Sequence, residues 1–125
     1  MNFYSSEIYR IKSICFFNEA QLKTVIKVKK LINNNFEQDV NLEFLAHTAS
    51  TSKFHLIRLF KKYYGTTPKQ HLISKRLEKS KELLTEGYSV IDTCYFIGFN
   101  SPSSFSRLFK EKTGKSPTRF QKEQF

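Results

Sequence analysis

From Asn18 onward the apolar positions of this chain recur at helical spacing. Leu22, Val25, Ile26 and Ile32 mark one side of a helix over Asn18 to about Asn34. Leu42, Leu45, Ala46 and Ala49 give a short helix within Asn41–Ala49. Leu56, Leu59, Phe60 and Tyr63 fall at i, i+3, i+4 and i+7 within Ser52–Tyr64, a stripe that faces a core. A longer helix, Pro68 to about Glu86, carries Leu72, Ile73, Leu77, Leu83 and Leu84. A second short helix follows over Val90–Ile97. Next comes Ser101–Thr113, with Phe105, Leu108 and Phe109 inward. The last is Pro117–Phe125, anchored by Phe120. The fold class expected is all-α, with about seven helices. Residues 1–17 carry apolar side chains without this period and are read as an unassigned N-terminal arm, either irregular or a short strand.

The limits of these helices are written in cap and turn residues. Asn18, Ser52 and Ser101 suit the N-cap, where a side-chain oxygen takes an orphan backbone N–H. Gly65 and Gly114 suit a left-handed C-terminal stop. Thr67-Pro68 and Ser116-Pro117 read as N-cap and first helical residue. Thr67 with Gln70 has capping-box spacing, and Ser89 with Asp92 resembles it.

One stretch is written twice. Arg58–Pro68 reads RLFKKYYGTTP and Arg107–Pro117 reads RLFKEKTGKSP, 49 residues later and identical at six of eleven positions. Ser52 and Ser101 match at the same offset. Two copies are too few for a solenoid, so one body carrying two similar devices is expected. Each copy follows a short helix and a tight turn, which is the helix-turn-helix pattern. The expected organisation is an arm at 1–17, a first lobe at 18–67, a linker helix at 68–86 and a second lobe at 87–125. At 1.5 Å per residue that linker spans roughly 28 Å. It is long enough to hold two reading helices about one DNA turn, roughly 34 Å, apart.

The outer faces of the repeated helices are where chemistry is expected. Phe54, Ile57, Arg58 and Lys61 lie opposite the first core stripe; Ser103, Ser106, Arg107 and Lys110 lie opposite the second. Arginine reads guanine O6 and N7 in a bidentate pair, and apolar side chains meet thymine methyls. The plain alternatives are a phosphate contact or an interhelix salt bridge for the arginines, a lid over the core for Phe54 and Ile57, and solvent exposure for the serines. Lys53, Lys61, Lys62 and Lys110, with His55 as a neighbour, suit phosphates, which position a protein without reading sequence. The helix starts at Ser52 and Ser101 offer backbone N–H groups to the same anions.

Charge changes the weight of that reading. The chain of 125 residues has 21 Lys+Arg against 11 Asp+Glu, a net +10. No acid occurs from Ala46 to Leu77, a run holding Lys53, Arg58, Lys61, Lys62, Lys69, Lys75 and Arg76. Such a balance points to a polyanionic partner, nucleic acid ahead of a membrane surface. Two cysteines, Cys15 and Cys94, and three histidines give no metal-ligand spacing, so no metal and no cofactor are expected. The first residues lack a basic stretch followed by an apolar run, so no signal peptide is read there. No membrane span is expected, and a cytoplasmic location is.

Taken together, these residues resemble the DNA-binding domain of the AraC/XylS family of bacterial transcription regulators. The most specific part is SVIDTCYFIGFNSPSSFSRLFKEKTGKSPTRFQ, where Gly98, Phe99, Phe105, Phe109, Lys110, Gly114 and Pro117 fall on the family's strongest positions. The first half is similar through Leu42, Leu45, Ala46, Ser52, Arg58, Phe60, Lys61, Gly65 and Pro68. The resemblance implies a two-lobed, seven-helix domain on an asymmetric DNA site, entering adjacent major grooves. It implies base-reading positions at Phe54, Ile57, Arg58, Pro102, Ser103, Ser106 and Arg107. It also implies transcription activation through RNA polymerase, by a monomer or weak dimer on DNA. Cys94, Thr93, Gln121 and Ser50 depart from the family pattern, at an alanine, an aliphatic, an arginine and a common turn-former respectively. The chain reads as the single-domain branch or as an isolated C-terminal domain. An enzyme is not expected, because alkyl-accepting zinc chemistry needs clustered cysteines. The main rival is a protein-interaction module that keeps the fold and antagonises another regulator.

Overall fold

The computed structural model describes residues 18–125; the arm read over 1–17, with Cys15, lies outside the described residues. Seven helices and no strand make up the described residues. They are α1 Glu19–Asn35, α2 Leu42–Thr48, α3 Lys53–Tyr64, α4 Pro68–Thr85, α5 Val90–Phe96, α6 Pro102–Thr113 and α7 Pro117–Lys122. The first six lie within one residue of the limits expected from sequence. The last stops three residues short of Phe125.

The caps explain that agreement. The side-chain oxygens of Asn41, Ser52, Ser89, Ser101 and Ser116 each accept a backbone N–H from the first turn they precede. Asn18 does the same for Gln21 at 3.1 Å. At Thr67 the capping box closes both ways: Gln70 N–H donates to Thr67 Oγ1 at 3.1 Å, and Thr67 N–H to Gln70 Oε1 at 2.9 Å. At Ser89 only the forward bond from Asp92 N–H forms, at 3.0 Å.

The chain divides into two compact units. Unit 1 runs to Asn35 and resumes over Val40–Leu72; unit 2 is Phe36–Asp39 with Ile73–Phe125. The core of unit 1 joins Leu22, Val25, Ile26, Val28 and Ile32 of α1 to Leu45, Ala46, Leu56, Leu59, Phe60 and Tyr63. Val28 escaped the sequence reading; it extends the Val25–Ile32 line at i+3. Leu42 and Ala49, expected inward, are half-buried at the edge of this core. Buried Tyr63 keeps its hydroxyl satisfied, accepting from Asn18 N–H at 3.2 Å and donating to Gln21 Oε1 at 3.1 Å. His71 packs rather than ligates: its ring lies 5.9 Å from that of Phe60 and bonds Asn33 Oδ1 at 2.7 Å.

Unit 2 is built on aromatic rings in file. Phe99 meets Phe105 at 5.5 Å, Phe105 meets Phe109 at 5.7 Å, and Phe109 meets Phe120 at 5.5 Å, all tilted or edge-on. Leu77, Leu83, Leu84, Cys94 and Ile97 close around them. Leu108 was expected inward but is half-buried and outside this core, to which α6 contributes Phe105 and Phe109. Gln121, a departure from the family pattern, donates to the carbonyls of Leu84 and Tyr88 at 3.1 and 2.6 Å, tying α7 to the end of α4.

Both tight turns use one device. After α2, Ser50 N–H bonds His47 O and Thr51 N–H bonds Ala46 O; after α5, Gly98 N–H bonds Tyr95 O and Phe99 N–H bonds Cys94 O. These are Schellman motifs, which require a left-handed residue. Gly98 takes it at φ +97, and Ser50 at φ +54. Gly98 also has no room for a side chain: a Cβ there would stand 2.7 Å from Glu37 O and 2.9 Å from Arg76 Nη2. Gly98→Ala is therefore expected to cost about 1–3 kcal/mol through backbone strain alone, before the clash is counted. Denaturant unfolding measures it, and a loss below that range would refute the steric account.

The buried pair Thr93 and Cys94 stands at the centre of α5. Burial pushes the Cys94 thiol pKa upward. The Thr93 hydroxyl is buried without a hydrogen-bond partner among the described residues. A valine of the same shape removes that cost, so Thr93→Val is expected to raise stability by about 1 kcal/mol, read as an increase in Tm.

Candidate nucleic-acid interface

Burial of one face fixes what the other shows. In α3 the core claims Leu56, Leu59, Phe60 and Tyr63. The helical period then sends Phe54, Ile57, Arg58 and Lys61 outward. Phe54 is 73% exposed, Arg58 and Lys61 are exposed, and Ile57 is half-buried. Ser52 opens the helix, its Oγ accepting from His55 N–H at 3.1 Å, and the His55 side chain is half-buried beside it.

In α6 the core claims Phe105 and Phe109. Ser103, Arg107 and Lys110 are exposed; Pro102 and Ser106 are half-buried. The Ser101 Oγ accepts from Ser104 N–H at 3.3 Å and shares a hydrogen bond with Ser103 Oγ at 2.8 Å. At the 49-residue offset Phe54 corresponds to Ser103, Ile57 to Ser106, Arg58 to Arg107 and Lys61 to Lys110. Each unit thus displays one arginine and one lysine a helical turn apart on its outer face.

The cations fall into two groups. Arg58, Lys61, Arg107 and Lys110 enter no ion pair among the described residues, so the interhelix salt bridge weighed for the arginines is not formed. Others are engaged. Lys53 pairs with Glu43 at 3.2 Å, an exposed contact worth about 0–1 kcal/mol that a phosphate can replace. Lys62 donates to Gln21 Oε1 at 3.3 Å and lies over the Tyr63 ring. Lys75 pairs with Glu78 at 3.6 Å.

Arg76, one of the cations of the acid-free run, is engaged inside unit 2. Its Nε donates to Phe36 O at 2.7 Å and its Nη2 to Gln38 O at 2.8 Å, with the guanidinium over the Phe99 ring. Burial pulls its pKa down, and Asp39 and Glu37 oppose that pull. This arginine holds the segment Phe36–Asp39 in unit 2. Its partners are backbone carbonyls 38 and 40 residues upstream, so no sequence pattern could disclose them. Sequence reading also passed over the outer side of α5, where Ile91, Tyr95 and Phe96 are more than half exposed. With the two short helices aligned on their N-caps, Asn41 and Ser89, 48 residues apart, their counterparts in α2 are Glu43, His47 and Thr48.

Two helix-turn-helix units, each with a cationic outer helix, define a double helix-turn-helix fold. A family model described as a helix-turn-helix domain matches residues 45–123. The chain belongs to the AraC-type helix-turn-helix family. It is 32% identical over 73% of its length to an uncharacterized HTH-type transcriptional regulator in the cgkA 5' region of Pseudoalteromonas carrageenovora, covering 54% of that protein. It is similar in structure to the C-terminal domain of AraT, a response regulator from Geobacillus stearothermophilus. That match has a TM-score of 0.77 and 27% identity, covering 80% of this chain and 84% of that one. It is also similar to the DNA-binding domain of AdpA, a global transcriptional factor solved with a target DNA. There the TM-score is 0.75 and the identity 28%, covering 79% and 90%. The chain spans about half or less of the length of the curated relatives it first matches.

The two groups of cations should separate in unfolding experiments. Arg58→Ala and Arg107→Ala are expected to change stability by no more than about 0.5 kcal/mol, as for surface positions without partners. Arg76→Ala, which deletes two charge-assisted bonds to carbonyls, is expected to lose roughly 2–3 kcal/mol. Equal losses for all three would overturn the division.

Proposed function

We propose that this chain is a sequence-specific double-stranded DNA-binding transcriptional regulator. It places α3 and α6 in adjacent major grooves of an asymmetric site. The observation that carries this reading is the repeated arginine–lysine turn on the outer face of both helices, Arg58 with Lys61 and Arg107 with Lys110, in no ion pair among the described residues. A cation left without an acid on an otherwise ordered helix is stored affinity for phosphate or guanine. The recognition helix of a helix-turn-helix enters the major groove while its first helix crosses the backbone.

In this reading Phe54, Ile57, Arg58, Pro102, Ser103, Ser106 and Arg107 face bases. Lys53, His55, Lys61, Lys62 and Lys110, with the N–H groups behind Ser52 and Ser101, face phosphates. Unit 1, the stretch of α4 that follows it and the second helix-turn-helix act as lobe, linker and lobe. The finer reading is a cytoplasmic activator that works beside RNA polymerase, as a monomer or weak dimer on DNA. AdpA, solved on a target DNA, supports the DNA partner. Among the described residues no helix is long and apolar enough to cross a membrane.

Selection from a random duplex pool at moderate salt, followed by sequencing, tests it. Two short unlike motifs about ten base pairs apart are expected. Arg58→Ala and Arg107→Ala should each cost about 1–3 kcal/mol of discrimination at one motif only. Lys61→Ala should weaken all sequences alike and lower the salt slope by about one. Absence of any salt-sensitive DNA binding would reject the regulator in favour of the protein-interaction module.

A further inference from the structure

The repeat keeps some outer residues and changes others, and the pattern of change is informative. Arg58/Arg107 and Lys61/Lys110 are kept; Phe54/Ser103 and Ile57/Ser106 are exchanged, apolar for hydroxyl. The kept positions serve what the two grooves have in common. The exchanged positions serve what differs between them. Resting on the DNA-binding reading above, we infer that the two units divide sequence reading by chemistry. Unit 1 recognises the 5-methyl groups of thymine through Phe54 and Ile57, next to a guanine held by Arg58. Unit 2 makes hydroxyl contacts through Ser106 and Ser103, keeps Pro102 as its one apolar side chain among the base-facing positions, and depends less on methyl groups.

The structure argues against the plain role for Phe54. At 73% exposure it covers little of the core, and it stands outside the unit 1 core and the half-buried side chains packed on it. Ring surface of that size left in water packs on no core among the described residues. It lies in the first turn of α3, the end of a recognition helix that approaches base edges. Ile57 stands one turn on and Arg58 four residues on, so the three side chains share one face. The only base group in the major groove that gains from an apolar partner is the thymine methyl. On α6, by contrast, Ser103 is already hydrogen-bonded to the cap at Ser101, which limits its freedom to choose among bases.

The test uses the whole chain and the duplex recovered by selection. That duplex is resynthesised with deoxyuridine for thymine, which deletes the methyl and keeps the Watson–Crick edge. Substitution in the motif lost by Arg58→Ala is expected to weaken binding about fourfold per contacted methyl, the worth of one buried carbon. Substitution in the motif lost by Arg107→Ala is expected to cost less, no more than about fourfold in total for the single methyl that Pro102 can meet. In Phe54→Ala the deoxyuridine effect at the first motif should shrink, while Phe54→Leu should retain it. Tight binding with no loss on demethylation overturns the inference and leaves the DNA-binding reading standing, as does a first motif without thymine. Equal losses at both motifs overturn the division between units. No binding to the unmodified duplex overturns both readings.

Discussion

The arrangement depends on a single backbone requirement, met twice. Directly after the first helix of each helix-turn-helix, one residue must turn left-handed so that two orphan carbonyls find donors within the next two residues. Gly98 meets the requirement without strain, Ser50 with some. Once that turn is made, the second helix can start only where its N-cap serine stands, at Ser52 or Ser101. Its core stripe then has one direction to face. The exposure of Phe54, Arg58, Arg107 and Lys110 is what remains after that burial, not a separate design.

The helices were legible because local chemistry sets them. Serine and asparagine caps, the Thr67–Gln70 box and the closing glycines all act within four residues, and sequence displays such spacing directly. The outward position of the arginines was legible for the same reason, since the period that buries Leu56 and Phe60 exposes Arg58. What could not be read depends on distance along the chain. Arg76 looked like one more cation in a basic run, yet its partners are the carbonyls of Phe36 and Gln38. Lys53 reads as suiting a phosphate, and α2 brings Glu43 beside it. Leu108 carried the same helical signal as Leu59, yet it is half-buried and outside the unit 2 core.

Net charge is therefore a coarse guide to this surface. The excess of 10 positive charges is spread over residues with unlike duties. Arg76 spends its hydrogen bonds on carbonyls, and Lys75 answers a carboxylate on its own helix. The four cations of the two outer turns are exposed and enter no ion pair among the described residues. In the function proposed above, desolvating them on phosphate or guanine is the step at which the folded chain becomes a bound one.

The division into units has a consequence for synthesis. Neither unit is a continuous stretch: Phe36–Asp39 belongs with a body whose remaining residues begin at Ile73, and the boundary between the units falls inside α4. As the chain leaves the ribosome, unit 1 has all its core residues once Leu72 has emerged. Folding of chains during synthesis favours such an early N-terminal unit. The carbonyls of Phe36 and Gln38 must wait for Arg76, and the seat of Gly98 against Glu37 waits longer still. A nascent chain therefore passes through a stage in which unit 1 is formed while a short stretch inside it is still uncommitted. Gene fusions that cut at the Leu72–Ile73 boundary would sever both α4 and that delayed attachment.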